Sequence, residues 1–201
     1  MKKYEEIKPI YDAIFKGLNG YVISLLEKEQ RQDKESIFKD ILYGEVSLEL
    51  LYALFVLPPI NKYIEKAKIF YDLGSGIGNA VISAYLTGAF EKCVGVELMD
   101  SLYKTSMEAK SRMQENSNII FINDNILNIN VVDADIVLFC CPTKDEKLRY
   151  EMEKKFITLK SGSVILSLIH KFKNEKDFEL IDAKLVKVAW GETPLFIYEK
   201  I

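Results

Sequence analysis

The sequence predicts an α/β fold, in which a mostly parallel seven-stranded sheet carries helices on both faces. Beyond Lys68, short apolar runs alternate with longer stretches of helical spacing, which is typical of parallel strands connected by helices. The last two apolar runs follow each other too closely for a helix to lie between them. We therefore expect the sheet to end in an antiparallel C-terminal edge strand, paired through a hairpin.

The first part of the chain is predicted to form a helical cap, residues 1–66, on a core of residues 67–201, both in one structural unit. Gly17 and Gly20 indicate a break between two helices, and a further helix should begin after Ser47. Apolar residues recur there at roughly helical spacing. The inward positions predicted by this spacing are Ile10, Ile14, Leu18, Val22, Leu25 and Leu26.

The predicted core alternates strands with helices. Strands are expected at 69–71, 93–96, 119–122, 136–139 and 164–166, followed by a C-terminal pair at 184–189 and 195–198. Helices are expected at 80–89, 102–113 and 144–156. Thr143, with Glu146 three residues further on, is typical of a helix start, because the two side chains can cap each other's backbone N–H groups.

The composition is that of a globular protein, with 49% hydrophobic and 28% charged residues among 201. A net charge of −3 gives no indication of the strongly basic surface that binds nucleic-acid phosphates. Cys93, Cys140 and Cys141 lack the spacing of a zinc site or a disulfide framework, so no metal site is predicted. No apolar run approaches the length of a membrane span. We expect an intracellular protein, cytoplasmic or nuclear.

The most informative stretch follows the first predicted strand and reads Asp72-Leu73-Gly74-Ser75-Gly76-Ile77-Gly78-Asn79. Glycines at a strand end let the backbone approach a ligand closely. Glu97 ends the next predicted strand, where a carboxylate can accept both hydroxyls of an adenosine ribose. The loop residues and Glu97 together predict a nucleoside-binding site.

Three residues distinguish between classes of nucleoside cofactor. A nicotinamide or flavin fingerprint requires glycine at position 79, where the sequence has Asn79. Asp72, at the strand end, suits the cationic amino group of S-adenosylmethionine, and Asp124, after the third strand, can accept from the adenine amino group. These residues predict a Rossmann-like class I methyltransferase that releases S-adenosylhomocysteine. The structural alternative is a tight turn with helix-capping acids.

The sequence also resembles one branch of these enzymes, the non-SET histone lysine methyltransferases of the disruptor-of-telomeric-silencing family. Tyr43-Gly44-Glu45 is similar to the family's Tyr-Gly-Glu element, which folds over the cofactor. Residues 72–79 are similar to its Asp-Leu-Gly-Ser-Gly-Val-Gly-Gln, and Gly95-Val96-Glu97 to its Gly-Val-Glu. Trp190 through Tyr198 resembles its terminal strand with Trp, Pro and Tyr. The likeness extends from about Tyr43 to the C-terminus.

The resemblance implies a cofactor role for each matching residue. Glu97 would hold the ribose, and Asp124 and Asn125 would frame the adenine. Asp72 and Asn79 would serve the methionine end. The cofactor-binding residues expected in addition are Tyr43, Gly44, Glu45, Gly74, Ser75, Gly76 and Gly78.

On the acceptor side, the resemblance implies a protein substrate with an acceptor lysine, a histone being among the candidates. Tyr198 would line the channel for this lysine. The family's Asn-Asn-Phe after the fourth strand is replaced here by Cys140-Cys141-Pro142. Because the first of these positions lies near the transferring methyl group, Cys140 is a second candidate catalytic residue, one that shapes the acceptor pocket. The family's basic nucleosome-binding extension has no counterpart.

Methyl transfer mainly requires alignment of the reacting atoms and exclusion of water. An acceptor lysine must arrive uncharged, and a narrow aromatic channel lowers its pKa by desolvation; Tyr43 and Tyr198 are the predicted walls. Covalent cysteine catalysis is disfavoured, because the single histidine, His170, lies on another strand. The sequence leaves open methylation of a small molecule or RNA, and a catalytically silent cofactor-binding module. An NAD-dependent oxidoreductase is a distant further alternative.

Overall fold

The computed structural model describes residues 1–30, 43–113, 117–140 and 145–201. Its strands are β1 (Ile69–Leu73), β2 (Lys92–Glu97), β3 (Ile119–Asn123), β4 (Ile136–Cys140), β5 (Val164–Leu168), β6 (Phe178–Val188) and β7 (Gly191–Lys200). They form one seven-stranded sheet in the order β3-β2-β1-β4-β5-β7-β6. The first five strands are parallel, and β7 is antiparallel to both β5 and β6.

The helices are α1 (Tyr4–Phe15), α2 (Gly20–Gln30), α3 (Leu48–Val56), α4 (Asn61–Ile64), α5 (Asn79–Leu86), α6 (Asp100–Ser111) and α7 (Glu146–Phe156). The predicted fold class, a Rossmann-like α/β sheet with N-terminal helices, is confirmed. Within the described residues, no helix combines the length and the apolar character that crossing a membrane requires.

The C-terminal strands are longer than predicted. They lie at one edge of the sheet, with β6 at the border and β7 inside it. Polar residues recur along β6, which is the border strand of the described sheet, and they make this strand difficult to recognise in the sequence. Only Ala189 and Trp190 separate the two strands.

The start of α7 also differs from the expectation. The described helix begins at Glu146, and the Asp145 carboxylate accepts hydrogen bonds from the Lys147 and Leu148 N–H groups at 2.9 and 3.1 Å. Asp145 is therefore the N-cap of this helix. Thr143, which was predicted to cap it, lies outside the described residues.

Alternation along the strands directs side chains to two different hydrophobic clusters. Phe70, Leu138 and Cys140 belong to the larger cluster, with residues of α1, α3, α5 and α6. Tyr71, Phe139 and Tyr198 are among the members of the second cluster, with residues of α7. The two faces of the sheet thus have separate cores.

The inward positions predicted for the first helices are partly wrong. Ile14 is buried as expected, but Ile10, Val22, Leu25 and Leu26 are exposed. Instead, α2 buries its small and polar residues Gly20, Ser24 and Glu27. The reason lies in two contacts: Gly20 packs so closely on the Tyr43 hydroxyl that a side chain would overlap it, and Glu27 accepts a hydrogen bond from the Ser101 N–H at 2.8 Å.

Tyr198 anchors the core on the α7 face. Its hydroxyl accepts a hydrogen bond from the Phe172 N–H at 2.8 Å, and its ring stacks on Phe172 with centroids 4.2 Å apart. We expect Tyr198→Phe to lower the free energy of unfolding by about 1–2 kcal/mol, because the ring remains while a buried N–H loses its acceptor. Urea denaturation measures the difference. Tyr21→Phe, at an exposed ring, is the matched control and should change stability by less than about 0.5 kcal/mol; equal effects of both variants would contradict this assignment.

Candidate active site

A glycine turn joins β1 to α5 at the carboxyl edge of the sheet. Gly74, Gly76 and Gly78 all have positive φ angles, of 92°, 54° and 89°. The Gly74 and Ser75 N–H groups both donate to the Val96 carbonyl oxygen at 2.9 Å, which ties the turn to β2. Gly78 shows why glycine is needed: its left-handed backbone disfavours any side chain, and a Cβ there would lie 2.5 Å from the Phe121 ring.

Glu97 holds this turn from the end of β2. One carboxylate oxygen accepts the Gly76 N–H and the other accepts the Met99 N–H, each at 2.8 Å. The side chain is buried, and this burial raises the pKa of the carboxyl group although the backbone bonds oppose the shift. Each oxygen still has a second lone pair for a hydroxyl donor. Glu97 is therefore a structural part of the turn as well as a possible ligand-binding group, a role that its position in the sequence did not indicate.

Asp72 is the second buried acid of the site. It is 4% exposed, and burial, with a smaller contribution from the Glu97 charge, raises its pKa from 3.8 to about 8. Within the described residues no hydrogen bond reaches its carboxylate. The Asp72 side chain is thus protonated near neutral pH unless a cation approaches it.

Two more polar atoms beside Asp72 are buried without a hydrogen-bond partner in the described part of the chain, Ser75 Oγ and Asn79 Oδ1. Buried polar atoms usually have partners, and an unsatisfied one costs on the order of 1–3 kcal/mol. Together with Asp72 they form a set of acceptors suited to a ligand with a positively charged amino group. This set of acceptors fits the methionine end of S-adenosylmethionine, and the glycine turn lies beneath it.

These groups line a narrow cleft. Tyr43 and Glu45 border it, and the Tyr43 hydroxyl donates a hydrogen bond to the Glu45 carboxylate. Burial, and then the Glu45 charge, raises the pKa of the Tyr43 hydroxyl, so that it remains a donor. The residues lining the cleft are Tyr43, Gly44, Glu45, Val46, Asp72, Gly74, Ser75, Gly76, Asn79, Ala80, Leu138 and Cys140. The structure therefore brings together nine of the residues predicted to form the site.

Asp124 and Asn125 lie beside the cleft, at the end of β3. The Asp124 N–H donates to the Glu97 carbonyl oxygen at 3.1 Å, which places this segment next to the ribose-binding candidate. The side chains make local bonds: Asp124 Oδ1 accepts from the Asn125 N–H and Asn128 Nδ2, and Asn125 Oδ1 accepts from the Leu127 N–H. Asn125 is thus the N-cap of a short 3-10 helix, Ile126–Asn128, and Asp124 ties the same segment together through Asn125 and Asn128.

Tyr198 does not reach the cleft. It is opposite Ile165 on β5, three positions before the carboxyl end of that strand at Leu168, and its ring lies on the α7 face of the sheet. Leu138 and Cys140, which do line the cleft, face the other way. Strand alternation therefore directs the Tyr198 side chain onto the α7 face of the sheet, and it is not among the described residues that line the cleft. Cys140 lines the cleft; Cys141 and Pro142 lie outside the described residues.

Trp190 is an aromatic neighbour of the site that was not among the residues predicted to form it. Its ring lies directly against Gly44, so closely that a Cβ there would overlap it. The signal was present in the sequence, because Trp190 belongs to the same terminal run as Tyr198. The turn between β6 and β7 places it over the Tyr43-Gly44-Glu45 segment.

Comparison with known proteins gives a consistent family. The model of a family described as histone methylation protein DOT1 matches residues 21–188. A histone-lysine N-methyltransferase of Kluyveromyces lactis, specific for H3 lysine-79, is 29% identical over 162 residues, which cover 74% of this chain and 28% of that protein. The chain spans about a quarter of the length of the curated fungal relatives that it matches.

A protein-lysine N-methyltransferase of Saccharolobus islandicus is 27% identical over 119 residues, covering 56% of this chain and 71% of that protein. A solved structure of a putative RNA methyltransferase from Pyrococcus horikoshii matches with a TM-score of 0.61 and 14% identity, over 90% of this chain and 96% of that one. At this identity the likeness shows the fold alone. Because the family model spans most of the chain, including the glycine turn and Glu97, the chain belongs to the DOT1 family of histone methylation proteins.

Proposed function

We propose that this chain is an S-adenosylmethionine-dependent methyltransferase that methylates lysine side chains of a protein. The observation that carries the proposal is the cleft itself, in which the glycine turn meets the buried Asp72 carboxyl group and two buried acceptors, Ser75 Oγ and Asn79 Oδ1, that have no hydrogen-bond partner among the described residues. Membership of the DOT1 family supports a protein substrate, a histone being the first candidate. We further propose that the protein acts inside the cell, in the nucleus or the cytoplasm.

The proposed cofactor arrangement follows the edge of the sheet. Glu97 binds the ribose hydroxyls, Asp124 and Asn125 contact the adenine, and Asp72 and Asn79 bind the methionine end. Bound S-adenosylmethionine supplies an activated methyl group on a positively charged sulfur. The protein's part is to hold the reacting atoms in line and to exclude water.

The acceptor lysine enters beside Tyr43, Trp190 and Cys140 in this proposal. Aromatic walls remove water from the lysine ammonium and lower its pKa, so that it loses its proton before transfer. Cys140 is buried at the cleft, where the small side chain leaves room for the acceptor. No residue of the described chain would need to act as a nucleophile, because the bound cofactor would supply its methyl group to the neutral amine and leave as S-adenosylhomocysteine when its carbon–sulfur bond breaks.

The proposal is tested by methyl-transfer assays with purified histones, short lysine-containing peptides, bulk RNA and small amines. We expect methylated lysine in the protein or peptide samples, identified by mass spectrometry, and none in RNA. Transfer to RNA alone would replace the proposed substrate class. Cofactor binding without transfer to any acceptor would instead favour the silent binding module.

Glu97 provides a direct test of the cofactor site. We expect Glu97→Gln to weaken S-adenosylhomocysteine binding by about tenfold or more, equivalent to about 1.4 kcal/mol. The amide nitrogen cannot accept the N–H of Gly76 or Met99, so the turn loses one bond and the ribose loses a charged acceptor. Calorimetric titration measures the affinity. Glu65→Gln, at an exposed glutamate outside the site, is the control, and an unchanged affinity in Glu97→Gln would argue against this site.

Asp72 predicts a pH dependence of cofactor binding. Because its pKa is raised to about 8 in the free protein, a ligand ammonium must displace a proton below that pH. Affinity for S-adenosylhomocysteine should therefore rise from pH 6 to pH 8, by up to about tenfold per unit, and then level off. Titration in buffers of different ionisation enthalpy should reveal the released proton. Asp72→Asn should bind more weakly and lose the pH dependence; a wild-type affinity that is flat between pH 6 and 8 would contradict the assignment.

The raised pKa of Asp72 has the opposite consequence for the stability of the protein without ligand, which falls as the pH rises. A folded-state pKa above the unfolded value means that Asp72 favours folding in its protonated form. This contribution is complete below about pH 3.8 and is lost as the pH rises to about 8.

A further inference from the structure

A groove adjoins the cofactor cleft on the side away from Asp124. It has a volume of about 600 Å³, within the range of roughly 300–1,000 Å³ that is usual for ligand sites. Tyr11, Leu50, Val188 and Ala189 form its apolar part. The polar residues of the groove are Glu45, Ser47, Glu49, Asn79 and Lys187.

The groove and the cleft share a wall. Glu45 and Asn79 line both. Asn79 is only 7% exposed, and its Oδ1 atom has no hydrogen-bond partner in the described residues. This atom is an acceptor at the junction of the two spaces, where a donor from a bound molecule would satisfy it.

The groove carries negative charge on apolar walls. Glu49 accepts a hydrogen bond from the Tyr4 hydroxyl at 2.6 Å, and that bond lowers the pKa of the Glu49 carboxyl. Burial, followed by the charges of Glu45 and Glu49, raises the pKa of Tyr11, which lines the same groove as these two side chains. Lys187 is the basic residue of the lining, and it lies opposite Glu192 in the strand register.

The position of the groove along the sheet is also informative. From one edge to the other, the carboxyl ends carry Asp124 after β3, Glu97 on β2, the glycine turn after β1 and Cys140 on β4. The groove follows at the end of β6, beyond the methionine end of the proposed cofactor site. It thus lies on the side of the methionine end of the proposed cofactor site, not on the adenine side.

We propose that this groove binds a positively charged side chain, lysine or arginine, that neighbours the acceptor lysine in the protein substrate. The proposal rests on the proposed function, since it assumes a protein acceptor at the adjoining cleft. Glu49 provides the charge, and Tyr11, Leu50 and Val188 provide the apolar surface on which the stem of that side chain packs. The groove therefore selects lysines that have basic neighbours in sequence.

The test measures binding of short labelled peptides by fluorescence anisotropy, with and without S-adenosylhomocysteine. Each peptide has one central lysine in a Gly/Ser sequence, flanked by arginine, by alanine or by aspartate. We expect the arginine-flanked peptide to bind about tenfold more tightly than the alanine-flanked one, as for a charge pair on an apolar surface, and this preference should fall as salt increases.

Glu49→Gln is the decisive variant, because glutamine keeps an acceptor for Tyr4 while it removes the charge. It should reduce the arginine preference to about threefold or less, with unchanged S-adenosylhomocysteine affinity and melting temperature. Glu65→Gln removes an exposed charge elsewhere and should leave the preference intact. A wild-type protein without preference, or a Glu49→Gln variant that retains it, would overturn the inference.

Failure of the proposed function would give a different result from failure of this inference. In that case no peptide is methylated, whatever its flanks, while the binding assay still reports on the groove. If methylation occurs, the same peptides should show the effect of Glu49→Gln in KM more than in kcat, because Glu49 lies outside the cleft.

Discussion

The bridge that Glu97 makes between the Gly76 and Met99 N–H groups determines the position of everything else in the site. It fixes the glycine turn against the end of β2. The position of this turn then determines where α5 begins, and Asn79 is the first residue of that helix. A buried carboxylate is costly unless it accepts hydrogen bonds, and Glu97 has two from the backbone. Asp72, nearby, has none among the described residues and is protonated instead. The site thus contains two buried acids, of which Glu97 accepts backbone hydrogen bonds and Asp72 is protonated. A bound cation would favour the ionised form of Asp72.

Much of the core was predictable because parallel strands buried on both faces leave continuous apolar runs, as at 69–71 and 136–139. The carboxyl ends of these strands were predictable for the same reason, so the sequence alone indicated that Asp72 and Glu97 lie at one edge of the sheet. The direction of a side chain was harder to predict. Tyr198 was expected in the site, but its place in the sequence does not reveal which face of β7 it occupies. Trp190, which a two-residue turn carries to Gly44, contacts the site instead.

The N-terminal helices show a second limit of sequence patterns. Helical spacing of Val22, Leu25 and Leu26 predicted a buried apolar stripe, yet the structure buries Gly20, Ser24 and Glu27. Specific contacts outweigh hydrophobicity here, because Tyr43 requires a residue without a side chain at position 20 and the first turn of α6 requires an acceptor. These helices are thereby connected to the site: α2 supports Tyr43, and α1 contributes Tyr11 to the neighbouring groove.

Trp190 is the single tryptophan of the chain, and its ring packs on the segment that borders the cleft. With 39% of its surface exposed, the indole is sensitive to small changes in its contact with water. Any displacement of Gly44 changes how much of the indole is in contact with water. The protein therefore has a built-in optical reporter, whose emission would respond to a displacement of this segment without an added label.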